Sequence, residues 1–151
     1  MELKTQKIRV TKKFTFDMAH ALYGYDGPCR HIHGHTYHLS VTLLGQVISE
    51  PGNPRDGMVM DFTDLKSIVN KHVTSVYDHA LVLNREALNE IQGLGSHKVI
   101  YSPTQPTCEN LLLAIKDKLV DDLPGSVKLC CLKLEETPTS FAEWYLGDNP
   151  E

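Results

Sequence analysis

His33-Gly34-His35-Thr36-Tyr37-His38-Leu39-Ser40-Val41-Thr42-Leu43-Leu44 is the cleanest alternation in the chain. His33, His35, Tyr37, Leu39, Val41 and Leu43 fall on one face, and Thr36, His38, Ser40 and Thr42 on the other. Side chains two apart on a strand project the same way, so this period predicts a long strand with one apolar face. Upstream, Ile8, Val10, Phe14, Phe16 and Met18 repeat the period, with Lys12 the exception, and His20 ends that run on the apolar parity. The Gly24-Tyr25-Asp26-Gly27-Pro28 stretch between them is turn chemistry.

Downstream, Pro51-Gly52-Asn53-Pro54-Arg55-Asp56-Gly57 reads as a turn, and Met58-Val59-Met60 as the returning strand of a hairpin. From Asp61, a plausible N-cap, the period lengthens. Leu65, Ile68, Val69, His72, Val73 and Val76 mark an amphipathic helix that should end near Tyr77. The region from Glu86 to Gln105 is broken by Gly93, Gly95 and Pro103 and carries no clear period. A second helix is expected from the N-cap Thr107 through Leu111, Leu112, Ile115 and Leu119, stopping before Pro124. Val127 to Glu136 and Phe141 to Leu146 read as two further strands. Strands and helices in separate blocks predict an α+β fold, an antiparallel sheet with both helices on one face. The other face would stay open, and an exposed sheet of this size usually finds a partner.

The 151 residues suit a single domain, residues 1–151. Hydrophobic residues at 41% and charged residues at 23% are globular values. A net charge of -4, with Lys12-Lys13 the one basic cluster, argues against general nucleic-acid binding. No stretch approaches the roughly 20 apolar residues of a membrane span, and Met1-Glu2-Leu3-Lys4 does not read as a signal peptide, so the cytoplasm is expected. The four cysteines read as thiols. Cys130 and Cys131 are neighbours on a strand, which should send them to opposite faces.

Eight histidines are the compositional anomaly. His33 and His35 are separated by one residue, which on a strand puts their Cα atoms about 6.6 to 6.8 Å apart on one face. Two such imidazoles can lean onto one ion at Zn–N distances of about 2.0 to 2.1 Å. If the two strands are antiparallel neighbours, His20 joins them. Three histidines with one position left open describe catalytic zinc better than structural zinc, which is closed by four protein ligands. A chance HxH pairing is the bland alternative, and His31 is the rival ligand.

These residues resemble a known family. Phe16-Asp17-Met18-Ala19-His20 with Cys29-Arg30-His31-Ile32-His33-Gly34-His35 is similar to the zinc and nucleophile signature of the 6-pyruvoyl-tetrahydropterin synthase and 6-carboxy-5,6,7,8-tetrahydropterin synthase family. Gly57-Met58-Val59-Met60-Asp61-Phe62, Asp78-His79, Pro106-Thr107-Cys108-Glu109-Asn110 and Glu136-Thr137 resemble further motifs of that family in the same order. The resemblance implies the tunnelling fold, an antiparallel four-stranded sheet with two helices on one side. It also implies homo-oligomers, trimers or hexamers, whose sheets join into a β-barrel with active sites between subunits.

Applied residue by residue, the resemblance implies zinc on His20, His33 and His35, with Cys29 as general base and Asp78-His79 as a second acid–base pair. Glu136 would anchor the pterin, with Thr107 and Glu109 as lesser contacts. The implied substrate is 7,8-dihydroneopterin triphosphate. The short Cys29-x3-His33 spacing resembles the queuosine-pathway enzymes, which form the 6-carboxy product and release acetaldehyde and triphosphate. A 6-pyruvoyl-forming sibling and a non-catalytic zinc- or pterin-binding module are the alternatives. Two departures from the family pattern, three residues between His79 and Leu83 and a long 86–105 segment, bear on the shape of the substrate entrance. His38 and His72 read as structural.

Overall fold

The computed structural model describes residues 6–150. Strands β1 (Lys7–Ala21) and β2 (His33–Gln46) form the long antiparallel pair that the alternation predicts, in register from Lys7↔Gln46 to His20↔His33. Phe16, Met18, Tyr37, Leu39, Val41 and Leu43 are buried on one face. Helix α1 (Phe62–Val69), a π turn (Asn70–Thr74) and α2 (Ser75–Tyr77) make one helical segment across that face, and α3 (Cys108–Asp122) lies beside it. Leu65, Val69 and Val73 from the first segment and Leu111, Leu112, Ile115 and Leu119 from α3 close the core. Both helices start where expected. The Asp61 carboxylate accepts the Thr63 N–H at 2.8 Å, and the Thr107 hydroxyl accepts that of Asn110 at 3.2 Å.

The π turn is absent from the sequence reading and has a packing cause. Leu65, Val69, Val73 and Tyr77 are all buried at intervals of four. Each such step overshoots a full α-helical turn by about 40°, so the stripe would rotate off the sheet. A turn widened by one residue absorbs that drift.

The sheet departs from the expected four antiparallel strands: it has six, in the order β4-β3-β1-β2-β5-β6, and is mixed. Strands β5 (Val127–Thr137) and β6 (Ser140–Tyr145) continue the antiparallel ladder beyond β2. On the other side, β3 (Ala80–Asn84) runs parallel to β1, and β4 (Val99–Ser102) parallel to β3. The helical segment runs along β1 and releases the chain beside Asp17, so β3 enters at Met18 still travelling in the direction of β1. Met58-Val59-Met60 is not a strand. Two main-chain bonds tie this loop back, Ile48 N–H to Met58 O and Gly57 N–H to Ile48 O, both 2.8 Å, and they bury Val59.

The expectation that Cys130 and Cys131 face opposite ways also fails. Thr42 pairs with Cys131 but Leu43 pairs with Leu129, so Cys130 is the extra residue of a β-bulge. Leu129 and Leu132 both face the core, which leaves the two thiols on the open face, where Arg9 Nε lies 3.1 Å from Cys130 Sγ. All four cysteines are free.

Gly45 lies where the loop after β2 and the start of β5 meet. A Cβ there would come within 2.8 Å of Val59 Cγ1 and 3.2 Å of Val127 Cγ1. Gly45→Ala is therefore expected to lower unfolding stability by about 1–3 kcal/mol, the usual cost of overpacking, read as a shifted denaturant midpoint at unchanged slope.

Candidate metal centre and active site

The β1–β2 register sets His20 directly opposite His33 and Met18 opposite His35, so the three imidazoles gather at one end of the ladder on the core face. One ring nitrogen from each lies within 4.8 Å of the other two. His20 is 2% exposed, and its Nδ1 stands 2.6 Å from the carbonyl oxygen of Pro106. His33 Nδ1 is 2.7 Å from the carbonyl oxygen of His31. A carbonyl can only accept, so in the neutral rings both Nδ1 atoms carry the proton and both Nε2 atoms present a lone pair. Those two lone-pair nitrogens are 3.0 Å apart and cannot hydrogen-bond each other. Two neutral acceptors so close call for a cation between them, and tetrahedral zinc would set such nitrogens about 3.3 Å apart. Carbonyl partners behind the ligands are the usual device for fixing the tautomer of a metal-binding imidazole. The donor set fits zinc.

Glu136, near the end of β5, faces the same point. Its Oε1 is 3.5 Å from His20 Nε2 and 3.6 Å from His35 Nε2, and the Tyr37 hydroxyl donates to it at 3.4 Å. Tyr37, not singled out in the sequence, is fully buried beneath the histidines, and burial beside the Glu136 carboxylate holds its phenol protonated well above the ordinary range. Its place on the apolar parity two residues after His35 was the available signal. Pro106 O enters from the turn before α3, which the parity argument did not reach. Cys108 donates its S–H to Leu134 O at 3.2 Å, and burial pushes that thiol up to about 11, so it stays neutral. Thr107 caps α3 immediately beside Pro106, while Glu109 is exposed on the first turn.

Asp78 and His79 follow α2 directly. His79 Nδ1 is 3.0 Å from Asp78 Oδ2, and the ring is 77% exposed. Among the described residues His79 alone, apart from glycines, has a positive φ, 61°. Its N–H donates to Asp17 O at 2.6 Å, and Asp17 N–H donates to Asp78 Oδ1 at 2.9 Å. That backbone donor, with the His79 ring and Lys98, holds the Asp78 carboxyl below the usual carboxylate range. A cavity of about 550 Å³ on the open face is bordered by His79, Asp17, Thr36, Leu94 and His97, on the side of the sheet away from the three imidazoles. Cys29 sits half-buried in the short 3-10 turn Pro28–Arg30, its carbonyl accepting the Leu22 N–H at 2.9 Å. Its sulfur is not among the convergent donors, and neither is the ring of His31. His72 Nε2 lies 2.8 Å from Asp122 Oδ2, joining the first helical segment to α3, whereas His38 is exposed on the open face.

Burial is the largest influence on His20 and holds its imidazole below the ordinary value of 6.5, against the Pro106 carbonyl and the Glu136 carboxylate. In the metal-free protein the unfolded chain therefore takes up a proton that the folded site resists. Its melting temperature should fall as pH drops below about 6.5, and His20→Gln should flatten that dependence. Zinc affinity should weaken over the same interval, because each ligand must be neutral to bind.

A family profile described as 6-pyruvoyl tetrahydropterin synthase matches residues 9–146. A 6-carboxy-5,6,7,8-tetrahydropterin synthase of Haemophilus influenzae is 37% identical over 142 residues, 90% of this chain and 97% of that one. A dihydroneopterin monophosphate aldolase of Pyrococcus furiosus is 32% identical over 130 residues, covering 86% of this chain and 90% of its own. The 6-pyruvoyl tetrahydropterin synthase structure of Caenorhabditis elegans superimposes with a TM-score of 0.68 at 24% identity, over 94% of this chain and 97% of that one, which speaks to the fold. With the profile spanning both long strands, both helical segments and the histidine cluster, this chain belongs to the 6-pyruvoyl tetrahydropterin synthase family.

Proposed function

We propose that the protein is a zinc-dependent 6-carboxy-5,6,7,8-tetrahydropterin synthase that converts 7,8-dihydroneopterin triphosphate to the 6-carboxy product with release of acetaldehyde and triphosphate. The observation that carries this reading is the convergence of His20, His33 and His35, with the Nε2 atoms of His20 and His33 freed for a metal by carbonyl bonds behind them. The short Cys29-x3-His33 spacing and the Haemophilus relative support the choice of product.

Zinc held there supplies Lewis acidity toward substrate oxygens. The remaining chemistry belongs to side chains of this chain. The Glu136 carboxylate offers paired acceptors for the 2-amino and ring N–H groups of a pterin, and Tyr37 braces it. Thr107 and Glu109, at the start of α3, are lesser pterin contacts. Asp78 holds the His79 proton on Nδ1, so His79 Nε2 is the atom free to take or give a proton in the cavity beside it. Cys29, in the turn leading into β2, serves as the general base in its thiolate form. The open face and the edge strands β4 and β6 suit assembly of several copies, a trimer or hexamer whose sheets close into a barrel. Among the described residues no helix is long and apolar enough to cross a membrane.

Incubation with dihydroneopterin triphosphate tests the reading, with acetaldehyde and the 6-carboxy pterin as the expected products. A 6-pyruvoyl product without acetaldehyde would favour the sibling activity. Turnover of the monophosphate alone would favour the aldolase chemistry named for the Pyrococcus relative.

A further inference from the structure

The long stretch between β3 and β4 ends on Lys98, whose side chain turns back toward the end of the first helical segment. Its Nζ donates to Ser75 O at 3.0 Å and to Asp78 O at 2.8 Å. The last carbonyls of a helix have no partner within it, and an ammonium there both satisfies them and complements the negative end of the helix dipole. The bonds carry further consequence because the residues next along are Asp78 and His79. His79 holds a left-handed backbone that a side-chain-bearing residue adopts only when its surroundings enforce it. Asp17 enforces it from the β1 side, through its carbonyl on His79 N–H and its N–H on Asp78 Oδ1. Thr36 fixes Asp17 in turn, its hydroxyl donating to Asp17 Oδ1 at 2.6 Å. Lys98 is the brace from the opposite side. Leu81 N–H donates to Lys98 O at 2.9 Å, which anchors the lysine backbone to β3, the strand that leaves His79. Leu94, His97 and Lys98 then form one wall of the cavity onto which His79 opens.

We propose that Lys98 is a positioning residue: by clamping the Ser75 and Asp78 carbonyls it sets the Asp78–His79 pair at the cavity wall. The proposal rests on the acid–base role assigned to that pair under the proposed function. It also gives the long 86–105 segment a task, that of delivering a cation to the helix end. With Nζ held by those two carbonyls, Lys98 acts on the reaction through the pair. Its loss should therefore act on turnover rather than on substrate affinity.

The test compares wild type with Lys98→Met, which keeps the stem and removes the donors, and Lys98→Arg, which restores donors and charge. With dihydroneopterin triphosphate, Lys98→Met should lose about 10- to 100-fold in kcat, the scale of a small misplacement of a catalytic group. KM and zinc content should hold, and Lys98→Arg should recover most of the loss. A second readout needs no substrate: nitrogen-15 NMR of the histidine rings should report an Nδ1-protonated His79 in wild type and Lys98→Arg, and a tautomer mixture in Lys98→Met. If wild type turns over no dihydropterin, the proposed function fails, and the NMR comparison still decides the role of Lys98. An unchanged His79 ring signal in Lys98→Met overturns the proposal, as does a raised KM at wild-type kcat, which would make Lys98 a substrate contact.

Discussion

Replacing His35 with alanine is expected to yield a folded protein that neither retains zinc nor turns over substrate. His35 stands above Tyr37 on the core face of β2, its side chain 19% exposed, so truncation removes a ligand without opening the centre of the core. The two remaining imidazoles would be left with Glu136, whose Oε1 is 3.5 Å from His20 Nε2. Losing a residue that merely supports a ligand costs about 10- to 100-fold in metal affinity or activity, and losing the ligand itself should exceed that range. Metal analysis of the purified variant, beside a circular dichroism spectrum matching wild type, checks the expectation. Retention of stoichiometric zinc by His35→Ala would remove His35 from the ligand set.

Replacing His79 with alanine is expected to separate metal binding from chemistry. The His79 side chain is largely exposed and joins no core cluster, so the fold and zinc content should survive its loss. A positioned acid–base group contributes about 10²- to 10⁴-fold, and kcat should fall by that amount while KM changes little. Asp78→Asn keeps the shape but no longer favours the Nδ1 proton, so it should fall between wild type and His79→Ala. Because Asp78 also accepts the Asp17 N–H, a carboxamide in its place that turned its nitrogen to Asp17 would loosen the His79 backbone as well. Steady-state kinetics on the three proteins, with zinc measured in each, gives the comparison.

The histidine cluster was legible because parity and pairing are linked in an antiparallel ladder. Once β1 and β2 each bury one face, placing His20 and His33 on that face and at the loop end leaves few registers, and the observed one pairs them directly. What the alternation does not carry is the identity of carbonyl partners. Pro106 O and His31 O are main-chain atoms brought in by turns, and nothing in their side chains announces them. Strands β3 and β4 escaped because four or five residues with a near-continuous apolar run, such as Ala80-Leu81-Val82-Leu83, show no period to distinguish strand from helix end. The bulge at Cys130 did leave a trace. Buried positions run Val127 and Leu129, then Leu132 and Leu134, a change of parity that requires one extra residue between them. Asp17 was visible only as one residue of the quoted signature, although its backbone and carboxylate organise Asp78, His79 and Thr36.

The proposed function requires a zinc ion at the three histidines for pterin turnover. Its most direct test strips metal from the wild-type protein with a chelator, assays dihydroneopterin triphosphate consumption, and then titrates zinc back. Activity should disappear with the metal and return in proportion to zinc, saturating near one equivalent per chain. Full-rate turnover by protein shown to be metal-free would contradict it.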